Sequence, residues 1–395
     1  MTARPFVIVG IPGHRRVTLF QAALAAQGLP EARVISWRDL AEPGAPARLL
    51  AELPADAILR IDSMGEDDDV ERAMLRRGEA IARELGASVI TAAQLAKQPY
   101  ELGQINPPRQ IHGGFLAVLG EIEAAIQPGW HVVQPPAAIR FLFDKRQTSQ
   151  RWSEQGIPVP DALWGVATPD ELRARMRERG WTSVYVKMAS SSSASCLAVF
   201  THTADGEHAI TTVEDAGRKR FNTRKLQRLT TKSAIDRLLA FLLAEGSQIE
   251  RAIPKAQLAG RSFDLRVLTI DGVAAFVVVR TSPHQITNLH LGGQRGSVEE
   301  LRAQLPAAAW DAAMASCIAV QQTSGAFHVG VDVMFEPDFT AHRVIEGNAF
   351  GDLLPNLERD GLDVCGWQIK RLVENTGTKA TRSAKATARK TSPGA

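Results

Sequence analysis

The sequence predicts an α/β domain followed by a two-lobed α+β unit, and three observations carry that expectation. Short β-branched runs alternate with helix-patterned segments over about the first 130 residues. The character changes at Gln134-Pro135-Pro136. Beyond Gly246 the chain becomes strand-rich. A length of 395 residues suits two or three folding units, and 45% hydrophobic content can bury a sizeable core.

The elements follow in order. Phe6-Val7-Ile8-Val9-Gly10 reads as a strand, and Ile11-Pro12-Gly13-His14 as a turn. Val17, Leu19, Phe20, Ala23 and Leu24 then repeat at helical spacing, with Gly28 as the cap. Strands are expected at 33–37, 57–61 and 88–91, with a helix over 69–85. This alternation points to a mostly parallel sheet in a domain spanning 1–135. A helix over 138–156 opens a first lobe, 136–247, with a helix at 171–179, strands at 183–187 and 196–200, and a helix at 234–244. A second lobe, 248–375, holds strands at 248–251, 265–270, 274–280, 329–335 and 342–346, interrupted by a helix over 307–323. A cleft is expected between the lobes. Residues 376–395 are mostly Thr, Ala, Ser, Lys and Arg with little to bury, and read as a disordered basic tail.

Composition narrows the function classes. Nowhere is there an apolar run long enough for a membrane span, and the N-terminus lacks a secretory pattern. Cys196, Cys317 and Cys365 are far apart and odd in number, against a disulfide framework or a cysteine zinc site; a reducing cytoplasm is expected. The formal charge is +3, but the tail carries five basic residues and no acidic one. Taking these five from +3 leaves −2 on the body, so the charge does not argue for a nucleic-acid partner.

Asp332 lies in one strand and Glu346-Gly347-Asn348 at the end of the next. A hairpin through 337–340 would bring Asp332, Glu346 and Asn348 together, a set of oxygen donors suited to Mg²⁺. The same residues also read as strand-end acids capping a turn. Lys187 ends an apolar strand and needs an anionic partner such as a triphosphate. The run 190–195, with Ser191 and Ser192, could bring backbone and hydroxyl donors to phosphate, or be a surface hairpin loop. Gln248–Lys255, containing Glu250, Arg251 and Ile253, lies between the lobes, where a hinge strand could meet an adenine edge. Asp264 and Arg266 share a strand face, and Arg280 ends the following strand. Asn288-Leu289-His290-Leu291-Gly292-Gly293 comes next. Arginine forks suit carboxylate and phosphate, although Asp264–Arg266 could equally be a structural ion pair.

Taken as an ordered set, these residues resemble the ATP-grasp superfamily: D-K at Asp144-Lys145 before a G-I-P-x-P turn, a strand-end lysine, a hinge E-R, D-x-R, a strand-end arginine, N-L-H-x-G-G and D…E-x-N. Asn288–Gly293 and the Asp264/Arg266 pair are especially similar to the ribosomal-protein glutamate ligase branch, and Arg60–Asp69 (RIDSMGEDDD) resembles a bacterial subgroup. The resemblance covers about residues 136–360, with 1–130 similar to the domain that precedes ATP-grasp lobes. It departs at 190–195, where serines replace the glycines of many members. It implies ATP and Mg²⁺ as cofactors. Lys145 and Lys187, with Ser191 and Ser192, would meet phosphates; Glu250, Arg251 and Ile253 would hold adenine; Asp332, Glu346 and Asn348 would hold Mg²⁺. Arg266, Arg280 and Asn288 would serve an acyl phosphate formed from a carboxylate, which an amine then displaces. The partners implied are small-molecule or peptide carboxylates and amines, without membrane or nucleic acid. A small-molecule kinase, or a non-catalytic ATP-binding regulator, remains open beside the ligase.

Other signals carry less. Gly10-x-x-Gly13 is not a full dinucleotide fingerprint. The acids at 66–71 read as a solvated helix start. Residues 218–228 hold six basic side chains and no acid, reading as a solvated lid face or a site for an acidic peptide.

Overall fold

The computed structural model describes residues 4–190, 196–217 and 219–390, leaving aside the side chains of 290 and 378–390. The first unit runs β1 (Phe6–Gly10), α1 (Arg15–Ala26), β2 (Arg33–Ser36), α2 (Trp37–Leu40), α3 (Ala45–Ala51), β3 (Ile58–Ile61), α4 (Asp68–Glu84), α5 (Ala92–Leu95), α6 (Pro108–Ala124) and β4 (His131–Val132). Its four strands are parallel, in the order β2-β1-β3-β4. Every residue of β1 is buried because both faces of the sheet are covered. Phe6 and Ile8 pack with Val17 and Phe20 of α1 on one side, while Val7 and Val9 pack with Met74 and Phe115 on the other. The acids at the start of α4 behave as a helix start: Asp67 caps it through Val70 N, with Asp68, Asp69 and Glu71 in the first turn.

Two expectations change here. The strand expected at 88–91 does not form; the fourth strand is β4, and Ile90 N instead donates to Gln110 Oε1 at 2.8 Å. Helix α6 was not anticipated. Gly113 and Gly114 weaken its intrinsic propensity, yet they allow α4 and α6 to touch: a Cβ on Gly114 would lie 2.0 Å from the Met74 carbonyl oxygen.

The second unit runs α7 (Pro136–Leu142), α8 (Lys145–Glu154), β5 (Ala162–Leu163), α9 (Pro169–Glu178), β6 (Ser183–Met188), β7 (Leu197–Thr203), β8 (Gly206–Asp215), β9 (Arg220–Leu229), α10 (Lys232–Ala244) and β10 (Ser247–Arg251). The single helix expected over 138–156 is split, because Asp144 accepts from Arg146 N and Gln147 N and so starts a new helix at Lys145. All strands are antiparallel, in the order β5-β10-β6-β7-β8-β9. The basic stretch expected as a lid face is β9, at the edge of this sheet; Arg218 lies outside the described residues.

The third unit runs β11 (Gln257–Leu258), β12 (Arg261–Ile270), β13 (Val273–Ser282), a 3-10 turn (Leu289–Leu291), β14 (Gln294–Gly296), α11 (Val298–Gln304), α12 (Ala307–Ser324), β15 (His328–Phe335), β16 (His342–Asn348), β17 (Glu358–Arg359), β18 (Leu362–Asp363) and α13 (Val364–Lys390). Its main sheet is antiparallel, β14-β13-β12-β15-β16, with β11 on β12. Helix α13 returns to the N-terminal sheet, where Cys365, Ile369 and Leu372 join the core around Phe20. Its backbone stays helical to Lys390, over most of the segment whose composition reads as a tail. All three cysteines are free and buried. Among the described residues no helix is long and apolar enough to cross a membrane.

Candidate active site

Strand alternation decides which side chains of the second sheet face the third. On β6, Val184, Val186 and Met188 enter the core with Leu172, Met176 and Leu239. Tyr185 and Lys187 therefore point the other way. On β10, Ile249 joins that core, so Gln248 and Glu250 share the face of Lys187. Lys187 lies opposite Gln248 and Tyr185 opposite Glu250, a register that sets Lys187 diagonally from Glu250. Their Nζ–Oε2 distance is 2.7 Å, with both groups largely buried. Gln248 Nε2 donates to the same carboxylate at 2.6 Å. Burial raises the pKa of Glu250, and the Lys187 charge only partly offsets it. Glu250 thus differs from its expected place at an adenine edge: its carboxylate is engaged by a lysine and an amide. What the strand end offers a ligand is the backbone and the Ile253 side chain beyond it. Arg251 is exposed at the rim, 3.9 Å from Asp161.

The third sheet presents a row of charges across four strands. Asp264 on β12 pairs in register with Arg280 on β13; Arg266 pairs with Asp332 on β15, and Asp332 with Glu346 on β16. The ion pairs follow the register. Arg280 Nε lies 2.7 Å from Asp264 Oδ1 and its Nη2 3.1 Å from Asp332 Oδ2. Arg266 forks onto both oxygens of Asp332 and reaches Asp352 Oδ2 at 3.3 Å. Lys255 Nζ lies 3.1 Å from Asp264 Oδ2, to which the Thr287 hydroxyl also donates. Burial would raise the Asp264 pKa, but Arg280 and Lys255 outweigh it and hold the carboxyl below its ordinary value.

Lys145, the first residue of α8, joins the two sheets. Its backbone N donates to Ala189 O at 3.0 Å, and its buried Nζ lies 3.2 Å from Glu346 Oε1. The sheets meet again where Leu197 and Val199 pack against Ile286. Between them lies a cleft with about 930 Å³ of empty space, counting the part open to solvent. Its walls include every expected site residue except Ser191 and Ser192: Lys145, Lys187, Glu250, Arg251, Ile253, Arg266, Arg280, Asn288, Asp332, Glu346 and Asn348. Ser191 and Ser192 lie outside the described residues, as does the His290 side chain. Its lining also includes the apolar side chains of Leu197, Ile253, Ile286, Met334 and Ile345 and the ring of Tyr185, which suit a planar base. Lys255 and Thr287 bond to Asp264 from 9 and 23 residues away; both lie at the ends of segments that the sequence marks, but neither carries an expected role.

Among the described residues no three His, Cys, Asp or Glu side chains cluster as a metal site. The oxygens here are two carboxylates and an amide. Asp332 and Glu346 face each other in register, and Glu346 and Asn348 share a strand face. Asn348 Nδ2 donates to Gly330 O at 3.0 Å, which turns its Oδ1 the other way. An all-oxygen set with few protein ligands fits Mg²⁺, which keeps waters and phosphate oxygens for its remaining positions.

No family model matches the sequence, and no curated protein matches it. Solved structures do match in fold. The ATP-grasp ligase PsnB, complexed with minimal precursor, Mg and ADP, is 18% identical over 95% of this chain and 99% of that one, with a TM-score of 0.52. The D-cycloserine synthetase DcsG is 16% identical over 94% and 99%, with a TM-score of 0.51. The macrocyclase MdnC from Microcystis aeruginosa MRC, bound with precursor peptide MdnA, is 13% identical over 94% and 99%, with a TM-score of 0.50. The chain has the ATP-grasp fold, as the order of motifs led one to expect.

Proposed function

We propose that the protein is an ATP- and Mg²⁺-dependent ligase that joins a carboxylate to an amine through an acyl phosphate. The observation that carries this reading is the convergence of Lys145, Lys187, Arg266, Arg280, Asp332, Glu346 and Asn348 on one cleft between two antiparallel sheets. Structures that share the fold include ligases, one of them complexed with Mg and ADP. A cytoplasmic setting, and a small molecule or a peptide as substrate, belong to the same proposal, as does the closer likeness of Asn288–Gly293 to the glutamate ligase branch.

In this reading the apolar wall around Tyr185, Ile253 and Met334 holds the base, and the backbone after β10 meets its edge. Lys145 and Lys187 neutralise phosphate oxygens. Asp332, Glu346 and Asn348 would hold Mg²⁺, which when bound supplies positive charge to the phosphate chain. A carboxylate oxygen attacks the γ-phosphorus as its bond to ADP breaks. The amine nitrogen then attacks the acyl carbon, phosphate leaves with the former carboxylate oxygen, and the amine gives up a proton. Arg266 and Arg280 stabilise the negative charge on the acyl phosphate and on the tetrahedral intermediate. The test is ADP release against panels of carboxylates and amines, with product mass. ADP release that requires both substrates and yields an amide supports the reading. A stable phosphorylated product makes the protein a kinase instead, and tight ATP binding without turnover on any pair makes it a binding protein.

A further inference from the structure

We infer that Arg16 is a specificity-determining residue that binds an anionic group of the substrate, so that the enzyme takes a carboxylate substrate bearing a second negative charge. This inference rests on the ligase reading of the cleft. A second hollow adjoins the cleft and shares Lys145, Arg266, Arg280, Asn288, Glu346 and Asn348 with it. Its far wall comes from the N-terminal unit: Arg16 in the first turn of α1 and Ser63 just after β3. A ligand there is within the same hollow as Lys145, Arg266 and Arg280 and also as Arg16.

Charge counting singles out Arg16. The other cations of the hollow have anionic partners: Lys145 has Glu346, Arg266 has Asp332 and Asp352, and Arg280 has Asp264 and Asp332. Arg16 shares Asp62 with Arg60. Arg60 holds Asp62 Oδ2 through Nε and Nη2, both at 3.2 Å, whereas Arg16 Nη1 is 3.5 Å from Oδ1. The other hydrogen-bond partner of Arg60, Gln368, is neutral, and burial lowers the pKa of nearby His328 to about 3, so it adds no charge. Two guanidinium groups therefore face one carboxylate in a largely buried setting. A surplus buried cation is costly until an anion meets it. Both contacts of Arg16, to Asp62 and to Phe350 O at 2.8 Å, run through Nη1. Among the described residues Nε and Nη2 make no hydrogen bond, leaving the edge of the fork for a carboxylate.

Two arginines lining one hollow suit a diacid. Arg16 holds Phe350 O, and Arg266 holds Asp352, two residues along the same turn. The Cα atoms of Phe350 and Asp352 lie no more than about 7 Å apart. A substrate with two carboxylates a few carbons apart can place one beside Arg266 for activation and the other beside Arg16.

The test uses the full chain loaded with Mg–ADP and calorimetric titration with succinate, glutarate and adipate, each against its half-amide. At least one diacid should bind about tenfold to a hundredfold more tightly than its half-amide, as expected for a charged hydrogen-bonded contact. Arg16→Gln should bring the pair to parity with Mg–ADP affinity unchanged, and Arg16→Lys should restore part of the preference. Parity in the wild type for all three diacids, no detectable diacid binding, or a preference that survives Arg16→Gln overturns the inference. Failure to bind Mg–ADP sinks the ligase reading and this inference with it; ADP binding with diacid parity sinks this inference alone. Thermal melting of each variant establishes that it is folded.

Discussion

Replacing Lys187 with Met separates what holds the cleft together from what it binds. The ammonium and the Glu250 carboxylate are 2.7 Å apart, with side chains 11% and 4% exposed. At an effective dielectric constant of about 20, their gross attraction is about 6 kcal/mol. Much of it is offset by desolvation, but removing one partner strands the other, and such changes cost about 3–5 kcal/mol. The sign with pH follows from Glu250. Burial already raises its folded pKa, and losing Lys187 raises it further. The folded state then holds its proton more tightly than the unfolded state, so stability falls as pH rises above the ordinary glutamate value. Lys187→Met should therefore lose little hydrogen-exchange protection over β6 and β10 near about pH 4.5, and the full amount near about pH 8. Adding Glu250→Gln should recover most of the loss without restoring ADP affinity, which is expected to be about tenfold to a hundredfold weaker than in the wild type. Equal protection in Lys187→Met and wild type at high pH, or no recovery in the double variant, refutes the reasoning.

Glu346→Gln removes the partner of Lys145 and one proposed metal oxygen; ADP release at saturating ATP should drop about 100-fold or more, and wild-type turnover by the folded variant removes Glu346 from the site. Asp62→Asn leaves Arg60 and Arg16 without their shared anion, at a cost of about 3–5 kcal/mol near neutral pH. Burial would raise the Asp62 pKa, but Arg60 and Arg16 hold it below the usual range. Its stabilisation is thus present above the unfolded value and lost as pH falls through the folded one, so the denaturation gap between variant and wild type should close only in strong acid. Gly114→Ala forces a methyl to within 2.0 Å of the Met74 carbonyl oxygen and should destabilise the α4–α6 contact by about 1–3 kcal/mol or more; an unchanged melting temperature contradicts that close approach.

The sequence made legible what depends on local pattern. β1 and α1 follow from periodicity, and the start of α4 from its acids. The D…E-x-N spacing anticipated that Asp332 and Glu346 would meet, because a hairpin of known length has few registers. What escaped depends on distant chain. Residues 88–91 have strand-forming side chains, but Gln110 captures the Ile90 backbone N and the sheet edge is filled by β4 instead. Helix α6 hides behind two glycines whose value lies in a contact with α4. The outer hairpin of β8 and β9 is absent from the expected strands because β9 is a half-exposed edge strand without a strong apolar alternation. Arg16 and Phe350 are 334 residues apart, and nothing local to either reveals that they meet.

The charge row also explains why the candidate site reads as both structure and chemistry. Lys255, Asp264, Arg280, Asp332, Arg266 and Asp352 alternate in sign along successive contacts. Such a row satisfies its own buried charges, so the cleft can form before any ligand arrives. It cannot keep every pair and also serve the proposed reaction, because both oxygens of Asp332 are already taken by Arg266 and Arg280. A cation on Asp332 and an anion on the two arginines would have to arrive as complementary partners, each replacing what the other displaces. Nucleotide with its metal, together with a carboxylate, has that composition. Either component alone would leave a buried charge unmatched, which couples the binding of the two substrates through the same three side chains.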